Sequence, residues 1–441
     1  MENNNFPLTK NNYVELFLEG ENYHTKYLEL IQKASLTIHL QTYIFSIDSF
    51  GKKVYLELIA AAKRGVKVYV LVDGVGSRLL AKEAEKEFTD AGVYFYRFNS
   101  IKIKWLYRWG RRLHHKVLII DQSQAIVGGI NVISSPTTNG NNQLDFAVFI
   151  EGPAISRLTR YAQSIFKTAS QKKWHFPIIA APHAKKNGLD VKILVNDWVY
   201  RRWQITRQYA NLTKKAKHEI TIINSYFFPR KKFMRQLVEA RRRGVRVCLI
   251  LPKHSDWPTY VLASEYLYSY FLKNDVEIYL WKKSILHGKM ATIDNLWCTI
   301  GSFNLNYTSY QQNLEMNINI YSSEFTNLVN VKIEELISCG CEKIDVNNFL
   351  IKCSLKTRMT RLFYYLILST IANFSIGLTH QEDSNSESRY MNILRFFVAL
   401  VFLMIGIFGI LFPLFPGLPF LFLSFILLYK QILLNNKKEK F

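Results

Sequence analysis

Short apolar runs alternate with amphipathic stretches along residues 35–150, and the same order returns along 219–320. SLTIHLQTYIF (35–45) is answered by EITIINSYFFP (219–229), and LIAAAKRGVKVYVLVD (58–73) by LVEARRRGVRVCLILP (237–252). In the second pair an amphipathic helix ends at a glycine, Gly65 or Gly244, and a buried strand follows. Residues 92–96 and 275–279 read as another strand, and the apolar runs 117–120 and 290–293 as a further one. Each half therefore predicts strand, helix, strand, helix, strand and a final strand. That alternation predicts an α/β fold of two similar lobes, each a mixed sheet flanked by helices and related by a pseudo-twofold axis.

The final strands carry candidate chemistry. His114-His115-Lys116 leads to Asp121 and then Gly128-Gly129-Ile130-Asn131, while His287-Gly288-Lys289 leads to Asp294 and Gly301-Ser302-Phe303-Asn304. Both copies read H-x-K-x4-D-x6-G-[G/S]-x-N with no slip in spacing. Side chains two apart on a strand share a face, so His114 points with Lys116 and His287 with Lys289. A histidine serves as nucleophile or proton carrier near neutral pH, and a lysine supplies positive charge to phosphate oxygens. The glycines permit close backbone approach, and Asn131 and Asn304 add amide donors toward substrate. Asp121 and Asp294 belong to the catalytic motif, yet their odd offset turns them from their histidines and favours a structural task. His115 lacks the motif spacing and reads as a neighbour on the opposite face. Beyond each tail stands a carboxylate, Asp145 or Glu315, placed to orient a histidine through its far ring nitrogen.

With these residues in place, the chain resembles the phospholipase D superfamily, and within it the bacterial phospholipase D-type cardiolipin synthases of the short type, without an N-terminal transmembrane pair. Flanking stretches 19–23, 61–66, 224–229 and 286–289 carry the closer similarity, which covers about residues 12–350. Asp145 stands where the pattern favours glutamate, so a shorter carboxylate must reach its histidine from a slightly different backbone geometry. The resemblance implies a phosphatidyltransferase joining two phosphatidylglycerol molecules through a phosphohistidine on His114, with His287 moving the proton. Lys116, Lys289, Asn131 and Asn304 would stabilise the transition state, with no metal and no other cofactor. A hydrolytic phospholipase D or a superfamily nuclease would use the same residues; a scaffold with a decayed site is the reading outside enzymes.

Charge and hydropathy bear on location. The chain of 441 residues carries a formal charge of +23, which suits an anionic membrane surface or phosphate-bearing partners. Lys102, Lys104, Trp105, Tyr107, Arg108, Trp109, Arg111 and Arg112 interleave cations and rings before the first motif. Such a cluster fits lipid headgroups or single-stranded nucleic acid, and the apolar C-terminus favours lipid over nucleic acid. Five cysteines without framework spacing point to a reducing compartment. Residues 1–10 are polar and show no signal peptide. Toward the C-terminus, 396–412 is an uncharged run, Pro413, Pro416, Gly417 and Pro419 punctuate it, and 420–434 resumes the apolar pattern. The expected organisation is a first lobe at 12–180, a second at 190–350, an interfacial helical segment at 351–380, a linker at 381–390 and a transmembrane or re-entrant hairpin at 391–434. Flanking lysines and Arg395 place the lobes on the cytoplasmic side of a bacterial inner membrane.

Overall fold

The computed structural model describes residues 7–99, 111–134, 143–177, 179, 183–200, 202–351 and 353–379, with isolated positions at 399, 421, 424–426 and 428. The aromatic and basic residues 102–109, the linker at 381–390 and nearly all of the hairpin at 391–434 lie outside them.

The two halves fold as mixed sheets of matching strand order. In the first, Thr9–Leu18 pairs antiparallel with Phe146–Glu151, followed by Gln124–Gly128 and the motif strand Lys116–Ile120. The motif strand pairs antiparallel with Thr37–Thr42, which begins the parallel series continued by Lys67–Asp73 and Tyr94–Phe98. In the second, Leu189–Asp197, Asn313–Tyr321, Trp297–Gly301 and motif strand Lys289–Ile293 repeat the antiparallel part. Glu219–Asn224, Arg246–Pro252 and Glu277–Trp281 repeat the parallel one. Helices Ser49–Lys63 and Lys231–Arg242 are the crossovers between the first two parallel strands. Their chains turn at Gly65 and Gly244, where φ is +94° and +92°, a region glycine enters without steric cost.

Both motif strands are buried along their whole length, which is why they read as continuous apolar runs and not as alternating ones. One apolar core runs through both halves, joining Val148, Ile150 and helix Ala154–Ser170 of the first to Ile318, Ile320 and helix Ser323–Gly340 of the second. Antiparallel contacts of Thr9 with Val191 and Asn12 with Leu189 connect the two sheets directly. Buried Arg111 adds an ion pair to Asp197 at 2.7 Å.

Both lobes lie in one compact unit, Met1–Thr357, and a second unit comprises Arg358–Phe441. Helix Leu355–Thr379 exposes Leu355, Met359, Phe363 and Ile371. Among the described residues, no helix is long and apolar enough to cross a membrane.

Candidate active site

The motif aspartates and the motif histidines sit at opposite ends of the same strands. Asp121 takes φ +49° in the turn after its strand and accepts from the amides of Ser35, Leu36 and Thr37 at 2.7–2.9 Å. Asp294, at φ +54°, does the same for Lys217, His218 and Glu219 at 2.7–3.0 Å. Aspartate tolerates this left-handed backbone, and its carboxylate satisfies the start of the neighbouring strand. Neither lines the cleft; both hold the strands that present the histidines.

At the other end, the lobes exchange backbone. Arg112-Leu113 runs parallel to Asn313-Leu314 of the second lobe, and Leu144 of the first pairs with Leu286. His114 N donates to Leu314 O at 3.0 Å, while His287 N and Gly288 N both donate to Leu144 O at 2.9 Å. Each acidic segment is thereby laid across the other lobe's motif. Glu315 Oε2 lies 2.9 Å from His114 Nδ1, and Asp145 Oδ2 lies 2.6 Å from His287 Nδ1. A carboxylate on Nδ1 fixes the tautomer with Nδ1–H and leaves Nε2 for chemistry.

Small residues make this crossing possible. A Cβ on Gly288 would meet the Phe146 ring at 2.3 Å, so that position admits no side chain without a shift. His115, its counterpart, instead turns inward and bonds Gln41 Oε1 through Nε2 at 2.7 Å. A Cβ on Gly129 would stand 2.2 Å from Asp145 Oδ1. Ser302, the matching residue of the second lobe, donates its hydroxyl to Glu315. Asn313 Nδ2 adds a 3.0 Å bond to the other oxygen of Glu315, whereas Asp145 Oδ1 accepts from the Phe146 amide at 2.8 Å.

His114, His287, Asn131 and Asn304 line one cleft of about 340 Å³. Asn131 Oδ1 accepts from Ile44 N at 3.1 Å and Asn304 Oδ1 from Ser225 Oγ at 2.8 Å, so each NH2 group is the donor left for a ligand. Lys116 and Lys289 are buried behind the histidines, and each donates to the carbonyl of its own histidine. Burial, reinforced by the charge of Lys289, lowers Lys116 to about 7. Lys289 is also lowered by burial, against the pull of Asp145 and Glu315. Burial lowers His114 to about 4, Glu315 opposing the shift and Lys116 adding to it. His287 is lowered by burial and Lys289, with Asp145 opposing. Burial alone would raise the two carboxylates, but Lys289 with His287 and His114 with Lys116 outweigh it and hold Asp145 and Glu315 low. The site thus crowds buried basic groups whose charged forms an anionic phosphodiester would stabilise.

Other lining residues escaped the sequence reading. Tyr43 and Tyr226 each follow the first parallel strand of their lobe, one position apart in register, and their rings meet His114 and His287 edge-on at 5.2 and 6.1 Å. That repeated tyrosine was a legible signal. Asp256, Trp257 and Tyr260 also line the cleft and no motif marked them, and Arg112, expected among the headgroup-binding cations before the first motif, lines it with them.

Residues 27–169 and 209–337 match the family described as cardiolipin synthase, PLD-like domain. The chain belongs to this family. Cardiolipin synthase B of Escherichia coli (strain K12) is 32% identical over 340 residues, 76% of this chain and 82% of that protein. Cardiolipin synthase 1 of Staphylococcus aureus (strain MRSA252) is 28% identical over 339 residues, 75% of this chain and 68% of that protein. Among solved structures, phosphatidylserine synthase of Haemophilus influenzae Rd KW20 superposes with TM-score 0.62 at 14% identity, covering 83% of this chain and 96% of that one. At that identity the likeness speaks for the fold alone, and it agrees with the two-lobed α/β architecture of this cardiolipin synthase family member.

Proposed function

We propose that this chain is a cardiolipin synthase that transfers a phosphatidyl group between two phosphatidylglycerol molecules and releases glycerol. The observation that carries the reading is the reciprocal exchange of carboxylates, which makes two histidines from two lobes one site. Family membership supplies the substrate class, and the cluster of buried basic side chains, whose charged forms a phosphodiester favours, supplies the fit.

His114 is the nucleophile. Burial beside Lys116 keeps it neutral, and Glu315 shares its charge with Ser302 and Asn313, so it orients the ring without making it strongly basic. Its Nε2 attacks phosphorus as the bond to the glycerol oxygen breaks. His287 is the proton carrier, because Asp145 approaches it more closely and the incoming phosphodiester favours its charged form. It gives its Nε2 proton to the departing glycerol oxygen. Neutral His287 then takes the proton of a hydroxyl on the second phosphatidylglycerol, whose oxygen attacks phosphorus and breaks the P–N bond to His114. Lys116, Lys289 and the amides of Asn131 and Asn304 stabilise the added negative charge of the pentacovalent transition state. Each step balances in protons and requires no metal.

The same proposal puts the enzyme at the cytoplasmic face of a bacterial inner membrane, with an anionic lipid surface favoured over nucleic acid as partner. The +23 charge and the uncharged run at 396–412 support this. It also retains lobes at 12–180 and 190–350, an interfacial helix at 351–380, a linker at 381–390 and a hairpin at 391–434. Incubating purified protein with phosphatidylglycerol vesicles tests the reaction. Cardiolipin and glycerol in equal amounts are expected; phosphatidic acid in place of cardiolipin would turn the reading to a hydrolase.

A further inference from the structure

The cleft is electrically lopsided. Arg112 from the first lobe and Asp256 from the second are the arginine and the carboxylate-bearing residue among its described lining residues. Asp256 is a carboxylate in a site otherwise equipped for anions, so it cannot face the phosphate without repulsion. It is held by hydroxyls: Tyr226 donates to both of its oxygens at 2.7 and 2.8 Å, and Ser255 to Oδ1 at 3.0 Å. Tyr226 also meets the ring of His287, which places Asp256 in the half of the cleft that handles the alcohol oxygen. Tyr260 stacks edge-on against both Tyr226 and Trp257 at 5.4 and 5.8 Å, and Trp257 is 60% exposed at the mouth.

The other lobe does not repeat the arrangement. Counting from the aligned strands, Ser77 holds the place of Asp256, and it is buried, with Oγ donating to Tyr43 O and accepting from Phe45 N. The first lobe uses the position to fix its own loop, while the second aims a carboxylate into the cleft beside three aromatic rings. A carboxylate accepts hydrogen bonds from vicinal hydroxyls, and ring faces pack against the C–H edge of a small polyol.

We propose that Asp256, aligned by Tyr226 and flanked by Tyr260 and Trp257, is the headgroup pocket for polyol alcohols and selects both the leaving glycerol and the entering one. This rests on the phosphatidyltransferase reading above. Because His287 serves both half-reactions, the leaving and the entering alcohol occupy the same pocket in turn, and a single residue governs both. Arg112, on the opposite lobe, is left to the phosphate side.

The test uses the full chain, phosphatidylglycerol vesicles and three soluble acceptors: isotope-labelled glycerol, 1-propanol and ethanolamine. Wild-type protein should transfer to glycerol about tenfold or more faster than to 1-propanol, as expected for loss of a hydrogen bond to a charged group. In Asp256→Asn the ratio of the two rates should fall to within about threefold, through KM for glycerol more than through kcat. Tyr226→Phe, which keeps the carboxylate but loses its aligning donor, should fall between. An unchanged ratio in Asp256→Asn overturns the proposal while leaving the transferase intact. A wild-type preference for ethanolamine that Asp256→Asn abolishes overturns the polyol assignment in favour of a cationic headgroup. No transfer to any acceptor by the wild type sinks the phosphatidyltransferase reading and the pocket with it.

Discussion

The two lobes share topology, register and motif, yet they furnish their histidines differently. His287 faces Asp145 at 2.6 Å, and that carboxylate rests against Gly129, where no side chain fits. His114 faces Glu315 at 2.9 Å, and Glu315 also takes the Ser302 hydroxyl and the Asn313 amide. A carboxylate with fewer competing donors supports an imidazolium better, so the lobe with Asp145 suits proton transfer and the lobe with Glu315 suits nucleophilic attack. The duplicated motif thus differs between the lobes in the groups that touch its carboxylates, with the histidines unchanged.

The largest expected effects separate the histidines. His114→Ala and His287→Ala should each lower turnover with phosphatidylglycerol by about 10³-fold or more. A phosphatidyl ester of p-nitrophenol breaks the symmetry, since its leaving group needs no proton. His287→Ala should still release a stoichiometric burst of nitrophenol, and His114→Ala should release none. A burst from His114→Ala would reverse the assignment.

Next come the carboxylates. Asp145→Asn and Glu315→Gln should cost roughly 10²- to 10⁴-fold in kcat, in the manner of an orienting acid that fixes a tautomer. Asp145→Asn should cost more, because its histidine becomes cationic during turnover. Equal losses would erase the functional asymmetry. Smaller and more pointed is the exchange of their supports. Gly129→Ser should push Asp145 from His287 and lower kcat by about 10- to 100-fold, whereas Ser302→Gly removes the hydroxyl that donates to Glu315 and accepts from the Met316 amide and should cost about fivefold. Comparable losses in the two variants would mean that the supports do not distinguish the lobes.

Acidity sharpens the comparison through stability. His114 is lowered to about 4, and His115 and His39 to about 3, by burial, so the unfolded chain binds protons before the folded chain does. Stability should therefore fall as pH drops from about 6.5 towards 4. Denaturant midpoints measured across that range should shift steadily, and His39→Phe should flatten the slope without a loss of cardiolipin synthesis as large as that of His114→Ala. Lys116, lowered to about 7, works the other way on binding. A bound phosphodiester restores its charge, so affinity for the lipid phosphate should decline as pH rises above about 7. The smallest catalytic effect is expected from Asp121→Ala. It should lower stability by about 1–3 kcal/mol through its lost amide contacts and leave kcat within about threefold.

Much of this was legible in the chain, for physical reasons. The strand and helix order showed because burial on both faces writes apolar runs and a helix face writes its own period. The spacing of His114, Lys116 and Asn131, and of their partners, showed because a strand of fixed rise places them with little freedom. Asp121 and Asp294 were grouped with the catalytic residues only by their membership of the motif; their odd offset already placed them away from the histidines. Tyr43 and Tyr226 were legible in the repeat and were missed, since a tyrosine after an apolar strand more often packs into a core than faces a ligand. Asp256, Ser255 and Trp257 had no repeat to mark them.

The sequence by itself determined that two lobes would form and that each would carry a histidine, a lysine and a carboxylate, because these follow from local periodicity and spacing. Only the tertiary structure decided which carboxylate serves which histidine. Leu144 and Leu314 hold the opposite lobe's backbone, so the partner of His114 stands 201 positions away at Glu315 and that of His287 stands 142 away at Asp145. A pairing across an interface leaves no period along the chain, and its specificity resides in the small residues that let the lobes approach.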